Sequence, residues 1–132
     1  VKRILITGSR TWESKEAIYL AIFNWVKENC PVQEEIIIVH GDASRGADRM
    51  ARDIARSVSW AVEEPHAADW ENEGRAAGFI RNQLMVDLGA DVCLAFIKDG
   101  SKGATHTAGQ ATKAGIPVIR YLDNGGVLSV ES

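Results

Sequence analysis

Asp91-Val92-Cys93-Leu94-Ala95-Phe96-Ile97-Lys98-Asp99-Gly100-Ser101-Lys102-Gly103-Ala104-Thr105 is the stretch whose reading decides the fold. Val92 to Ile97 is continuously apolar and rich in β-formers, which predicts a strand buried on both faces. A Gly-x-x-Gly turn follows and opens into an alanine-rich helical segment, Ala104 to Ala114. A strand feeding a glycine turn and then a helix suits phosphate. Glycine lets backbone approach the anion closely, and the first free N–H groups of the helix point at it. Ser101 and Thr105 add hydroxyls. The same turn also reads as a plain chain reversal, so the rest of the chain has to weigh between the two.

Working outward, the chain alternates strands and helices. Lys2 to Thr7 reads as a first strand and Glu35 to His40 as a second, both too apolar to be half-exposed. Trp60 to Glu64 is a weaker third, closed by Pro65. Pro117 to Tyr121 is a fifth, after a helix that ends at Gly115. Ser14 caps the first helix, which presents Ile18, Ile22, Trp25 and Val26 on one face and stops at Pro31. Ala47, Met50, Ala51, Ile54, Ala55 and Val58 form the buried stripe of the second. A loop from His66 to Gly74 leads to a third helix, Arg75 to Leu88, with Ala77, Ile80, Leu84 and Leu88 inward. After a turn at Asp123-Asn124-Gly125-Gly126, Val127 to Val130 reads as a short edge strand or as a frayed end.

Strands alternating with helices, apolar on both faces, imply an α/β fold with a parallel sheet covered on both sides. Right-handed crossovers favour strand order 3-2-1-4-5. That order places the first and fourth strands together at the switch point, where ligands bind beyond the carboxyl ends. The loops expected there are Gly8 to Trp12, His40 to Asp48 and Asp99 to Thr105, the three polar, glycine-rich loops of the chain.

The 132 residues suit one domain spanning 1–132, and 45% apolar with 25% charged residues is an ordinary globular balance. The net charge, 15 − 18 = −3, argues against a nucleic-acid partner. Cys30 and Cys93 show no metal spacing and no disulfide framework; Cys93 reads as a core thiol. No histidine pair has ligand spacing, so neither a metal nor a cofactor is expected. No apolar run approaches membrane-spanning length and no leader is visible; with no disulfide framework, a reducing cytoplasm is the expected location.

Within the expected crevice, Arg10 suits bidentate phosphate recognition, against an alternative as a solvated surface charge. Trp12 reads as a stacking platform or as the hydrophobic start of the helix. Asp48 reads as a helix-start anion or as a hydrogen-bond acceptor for ribose or base. His40 ends a strand beside the crevice, where it could hydrogen-bond or serve as acid or base. Arg81-Asn82 interrupts an apolar pattern, and Arg81 reaches the crevice or lies exposed. Arg45, Arg49, Arg52 and Arg56 form a stripe read as a solvated face. Asp69 and Glu73 are acids that spacing alone does not pair, and no catalytic residue is assigned.

Gly8-Ser9-Arg10, His40-Gly41, Gly46-Ala47-Asp48, Ala68-Asp69-Trp70, Arg81-Asn82-x-x-Met85 and Gly100-Ser101-x-Gly103-x-Thr105 together resemble the YspA-type, YpsA-related branch of the SLOG superfamily, from the first strand to about Tyr121. The superfamily also holds the Lonely Guy phosphoribohydrolases and the DprA/Smf proteins. The resemblance implies a Rossmann-like fold, occurrence in bacteria and phages, and a nucleotide or nucleotide-derived ligand, sensed or scavenged. Arg81 and Met85 look similar to the Arg-Lys-x-x-Met segment of Lonely Guy enzymes, with Asn82 in place of lysine. Asp99 to Thr105 looks similar to their Pro-Gly-Gly-x-Gly-Thr loop, with one alanine inserted. Their catalytic glutamate follows that threonine, whereas here His106-Thr107-Ala108-Gly109 follows. The implied ligand-binding set is therefore Gly8, Ser9, Arg10, Trp12, His40, Gly41, Gly46, Asp48, Arg81, Asn82, Gly100, Ser101, Gly103, Ala104 and Thr105. N-glycosidase action on nucleoside monophosphates is the competing expectation, DNA binding through the arginine stripe a third. A second copy of the chain is the other partner left open.

Overall fold

The strands keep their order because each apolar run buries alternate side chains on opposite faces of one sheet. In the computed structural model, which describes residues 1–124 and 126–131, six strands lie in the order β3-β2-β1-β4-β5-β6. They are β1 (Lys2–Gly8), β2 (Ile36–His40), β3 (Ala61–Pro65), β4 (Val92–Phe96), β5 (Val118–Tyr121) and β6 (Val127–Glu131). The first five are parallel, with β1 between β2 and β4, and β6 returns antiparallel along β5. This is the expected order with the edge strand formed. Of the turn read at 123–126, Gly125 lies outside the described residues, as does Ser132.

Helices α1 (Lys15–Asn29) and α2 (Ala47–Ser57) cover one face; α4 (Ala77–Asp87) and α5 (Lys102–Lys113) cover the other. Ile4, Ile6, Ile36 and Ile38 meet Ile18, Ile22 and Ile54 on the first face. Leu5, Val39 and Cys93 meet Met85, Val86, Ala108 and Ala111 on the second. The Ser14 hydroxyl caps α1 by accepting from the Ala17 amide at 3.1 Å. Burial pushes the Cys93 thiol up to about 12, as befits an inert core cysteine. No described helix is long and apolar enough to cross a membrane.

Two local expectations are corrected. The loop from His66 to Gly74 contains a short helix, α3 (Trp70–Glu73), because Asp69 caps it by accepting from the Asn72 amide at 3.2 Å. A 3-10 turn at Gly74–Ala76 then leads into α4. On α4 itself, the inward side chains are Ala77, Asn82, Met85 and Val86, while Ile80, Leu84 and Leu88 are exposed. The helix is rotated from the apolar reading because Asn82 is drawn inward by hydrogen bonds.

Candidate functional site

The carboxyl ends of β1, β2 and β4 open into a crevice of about 420 Å³. Its floor is made by backbone that needs small residues. A side chain on Gly8 would overlap Ala47 and the Phe96 carbonyl, and one on Gly41 would fall 2.7 Å from Arg81 Nη1. Buried Ser9 ties the loops together. Its Oγ donates to the Lys98 carbonyl at 2.6 Å and accepts from the Lys98 amide at 2.7 Å. Its carbonyl accepts from the amides of Trp12 and Ala47, which fixes the start of α2 against the first loop.

One wall is the start of α5. The Ser101 hydroxyl caps it weakly, accepting from Ala104 at 3.4 Å. The amides of Lys102 and Gly103 have no acceptor among the described residues. Gly103 lines the crevice, and nothing lies within 4 Å of where its side chain would begin. Gly100 has another task. It follows Asp99, and the two take φ of 62° and 57°, the left-handed turn that redirects the chain into α5.

The opposite side holds the charges. Asp48, in the first turn of α2, is only 9% exposed. Its Oδ2 accepts from the Ala43 amide at 3.3 Å, and Oδ1 accepts nothing from the described residues. Burial pushes its carboxyl above the ordinary aspartate range, against the opposing pull of that amide and of the nearby cations, Arg81 and Arg10 among them. Burial likewise lowers Arg81 from its usual value. The Arg81 guanidinium donates to the carbonyls of Gly41 and His66 and to Asn82 Oδ1. Asn82 Nδ2 in turn donates to the Gly103 carbonyl at 3.2 Å, linking α4 to the first turn of α5. Arg10 is exposed on the rim and forms no ion pair or hydrogen bond among the described residues.

Of the expected ligand-binding residues, the crevice brings together Gly8, Ser9, Arg10, Gly41, Asp48, Arg81, Asn82, Ser101, Gly103 and Ala104. It leaves out five. Trp12 is 2% exposed, in the core, edge-on to Phe96 at 5.4 Å between ring centres. That is the hydrophobic-start alternative. His40 is buried with both ring nitrogens engaged: Nε2 with Glu63 Oε2 at 2.6 Å, Nδ1 accepting from the Asp42 amide at 3.0 Å. It pins a loop rather than facing ligand. Gly46, at φ 76°, packs against the backbone of Ser9 and Arg10. Gly100 serves the turn, and Thr105 is exposed beyond the crevice, its amide spent on the Ser101 carbonyl.

The crevice also holds residues outside the expected ligand-binding set: Arg75, Phe79 and Lys98, with Asp99 of the loop expected there and Trp70 of the Ala68-Asp69-Trp70 motif. Trp70 is 53% exposed and lines the crevice, with its ring edge against Gly78. A tryptophan directly after a capping aspartate, in a segment otherwise polar, was the available signal. No described group of histidine, cysteine, aspartate or glutamate side chains could hold a metal.

A family model described as the YspA, cpYpsA-related SLOG family matches residues 2–72. The chain is similar to the Gene 61 protein of Mycobacterium phage D29, 41% identical over 131 residues that cover 93% of this chain and 98% of that protein. No solved structure matches it.

Proposed function

Because the chain belongs to the YspA, cpYpsA-related SLOG family, we propose that it binds a nucleotide or nucleotide-derived small molecule in the crevice between β1 and β4, as a sensor or scavenger. The observation that carries this reading is the α5 wall. Gly103, unhindered and in a helix start whose Lys102 and Gly103 amides have no acceptor among the described residues, lines a cavity of mononucleotide scale, and Arg10, unpaired among those residues, stands on its rim. Helix-start amides and a free guanidinium together select an anion of phosphate type. The half-exposed ring of Trp70 offers an aromatic surface for a base. Arg81, already committed to three protein acceptors, adds positive potential more than free hydrogen bonds.

The test is calorimetry of the full chain with AMP, GMP, CMP, UMP and inorganic phosphate. At least one nucleotide should bind, and Arg10→Ala should weaken it by about tenfold or more, the worth of a charge-assisted hydrogen bond. Arg10 holds no other described residue, so its loss should leave the melting temperature unchanged. Absence of binding by every nucleotide at millimolar concentration, or an affinity indifferent to Arg10, would overturn the reading. N-glycosidase action is not favoured by any observation in the crevice, since His106 and Thr107 follow the loop where a glutamate would be required.

A further inference from the structure

Asp48 is a buried carboxylate with an acceptor left over. The residue is about nine-tenths buried and lines the crevice, its one hydrogen bond among the described residues is a long one from the Ala43 amide to Oδ2, and Oδ1 accepts from no described residue while remaining within reach of solvent. A carboxylate oxygen that only solvent satisfies, on a residue lining a cavity, is free to accept from a donor that enters there. The start of α2 and the nearby arginines account for tolerating the charge. They leave Oδ1 to solvent, and so available to a ligand in the crevice.

We infer that Asp48 receives the ribose hydroxyls of the ligand, so that the site takes ribonucleotides and rejects their 2′-deoxy counterparts. The inference rests on the nucleotide reading above and deepens it. The placement of the groups supports it. Phosphate belongs at the α5 wall on the β4 side of β1, where the free amides are. The aromatic face belongs to Trp70 on the rim, and Asp48 sits at the floor on the β2 side. In a nucleotide the sugar lies between phosphate and base, and its vicinal diol presents two donors at a spacing that one carboxylate can accept. Gly41 contributes by having no side chain: a Cβ there would lie 3.0 Å from Asp48 Oδ2 and crowd the carboxylate.

The experiment compares each ribonucleoside monophosphate with its 2′-deoxy and 3′-deoxy analogues, on the parent chain and on Asp48→Asn, with a thermal melt of both proteins. The parent should prefer the ribonucleotide by about ten- to a hundredfold, as expected for hydrogen bonds to a charged group. In Asp48→Asn the preference should shrink toward parity, even if overall affinity changes little. A merely structural role for Asp48 would lower affinity for all analogues alike and leave the ratio untouched. Equal binding of ribo- and deoxyribonucleotides by the parent would overturn the inference while leaving nucleotide binding intact. So would a change of base preference instead of sugar preference in the variant. If Asp48→Asn fails to fold, the ratio measured on the parent decides alone. Failure of every nucleotide to bind is the different result that overturns the underlying reading.

Discussion

Gly100 and Gly103 show how two glycines of one motif come to do different work. Gly100 is held at φ 62° by the turn, where any L side chain is strained. Gly103 is not in the left-handed region and has open space where a side chain would begin. Valine at Gly100 therefore tests the backbone, whereas valine at Gly103 tests the cavity. Gly103→Val should melt within a few degrees of the parent, because the new methyl groups enter the crevice and not the core. It should lose AMP or whichever monophosphate the parent binds. Ser101→Ala removes only a long cap bond and should cost affinity about tenfold at most. Calorimetry and a thermal melt on the two variants check this, and a Gly103→Val protein that binds like the parent would exclude the α5 wall as the anion site. Trp12 and Trp70 make the same point for aromatics. One is clamped on Phe96 in the core, and the other stands half-open at the rim.

Among the elements, α4 departs furthest from its apolar pattern. A helix settles with the arc that buries the most area inward, subject to satisfying every polar group it buries. Asn82 accepts from Arg81 Nε at 2.8 Å and donates to the Gly103 carbonyl, so it can be buried at little cost. Ala77, Met85 and Val86 follow it inward, which turns Ile80, Leu84 and Leu88 toward solvent. Met85→Ala should then cost about 2–5 kcal/mol, as core truncations do, and Leu84→Ala less than about 1 kcal/mol. Urea denaturation of the two variants measures both, and comparable losses would mean that Leu84 is covered. The helix also joins two walls of the crevice, since Asn82 couples the Arg81 guanidinium to the first turn of α5.

Across the whole molecule, one ion network ties the sheet together beneath the crevice. Arg3 on β1 reaches past β2 to Glu64 on β3, with two hydrogen bonds at 2.7 and 2.8 Å, and His66 adds a third at 2.7 Å. Hydrogen bonding to Arg3, against the cost of burial and with the help of His66, holds the Glu64 carboxyl down to about 2. A carboxyl depressed in the fold stabilises it above the unfolded value, and that contribution is lost as pH falls through the folded one. Glu64→Gln should therefore be less stable than the parent at pH 7. The difference should close between about pH 4.5 and pH 2. Denaturant titrations of both proteins at several pH values read the difference directly, and a gap that persists at pH 2 would mean the network contributes nothing through charge. The network matters to the site because the His66 carbonyl is one of the acceptors that hold Arg81.

The alternation of apolar runs with amphipathic stretches by itself determined the α/β class, the order of the elements and the parallel sheet, because burial on both faces of a strand writes itself directly into composition. Handedness and strand order then placed the β1, β2 and β4 loops at one edge, so ten of the fifteen residues expected at the ligand do line the crevice. What only the tertiary structure decided is where each side chain of those loops points. Trp12 left for the core because Phe96 and the sheet offered it more buried contact than the rim. His40 turned to Glu63 because a buried imidazole must satisfy both nitrogens. Trp70 came to the crevice only because Asp69 nucleates a helical turn that aims it there. Asp48 was legible as a charged residue near a helix start, but its unfilled oxygen was not. Whether a protein donor takes a carboxylate oxygen or leaves it to solvent depends on partners distant in the chain, and local sequence does not encode them.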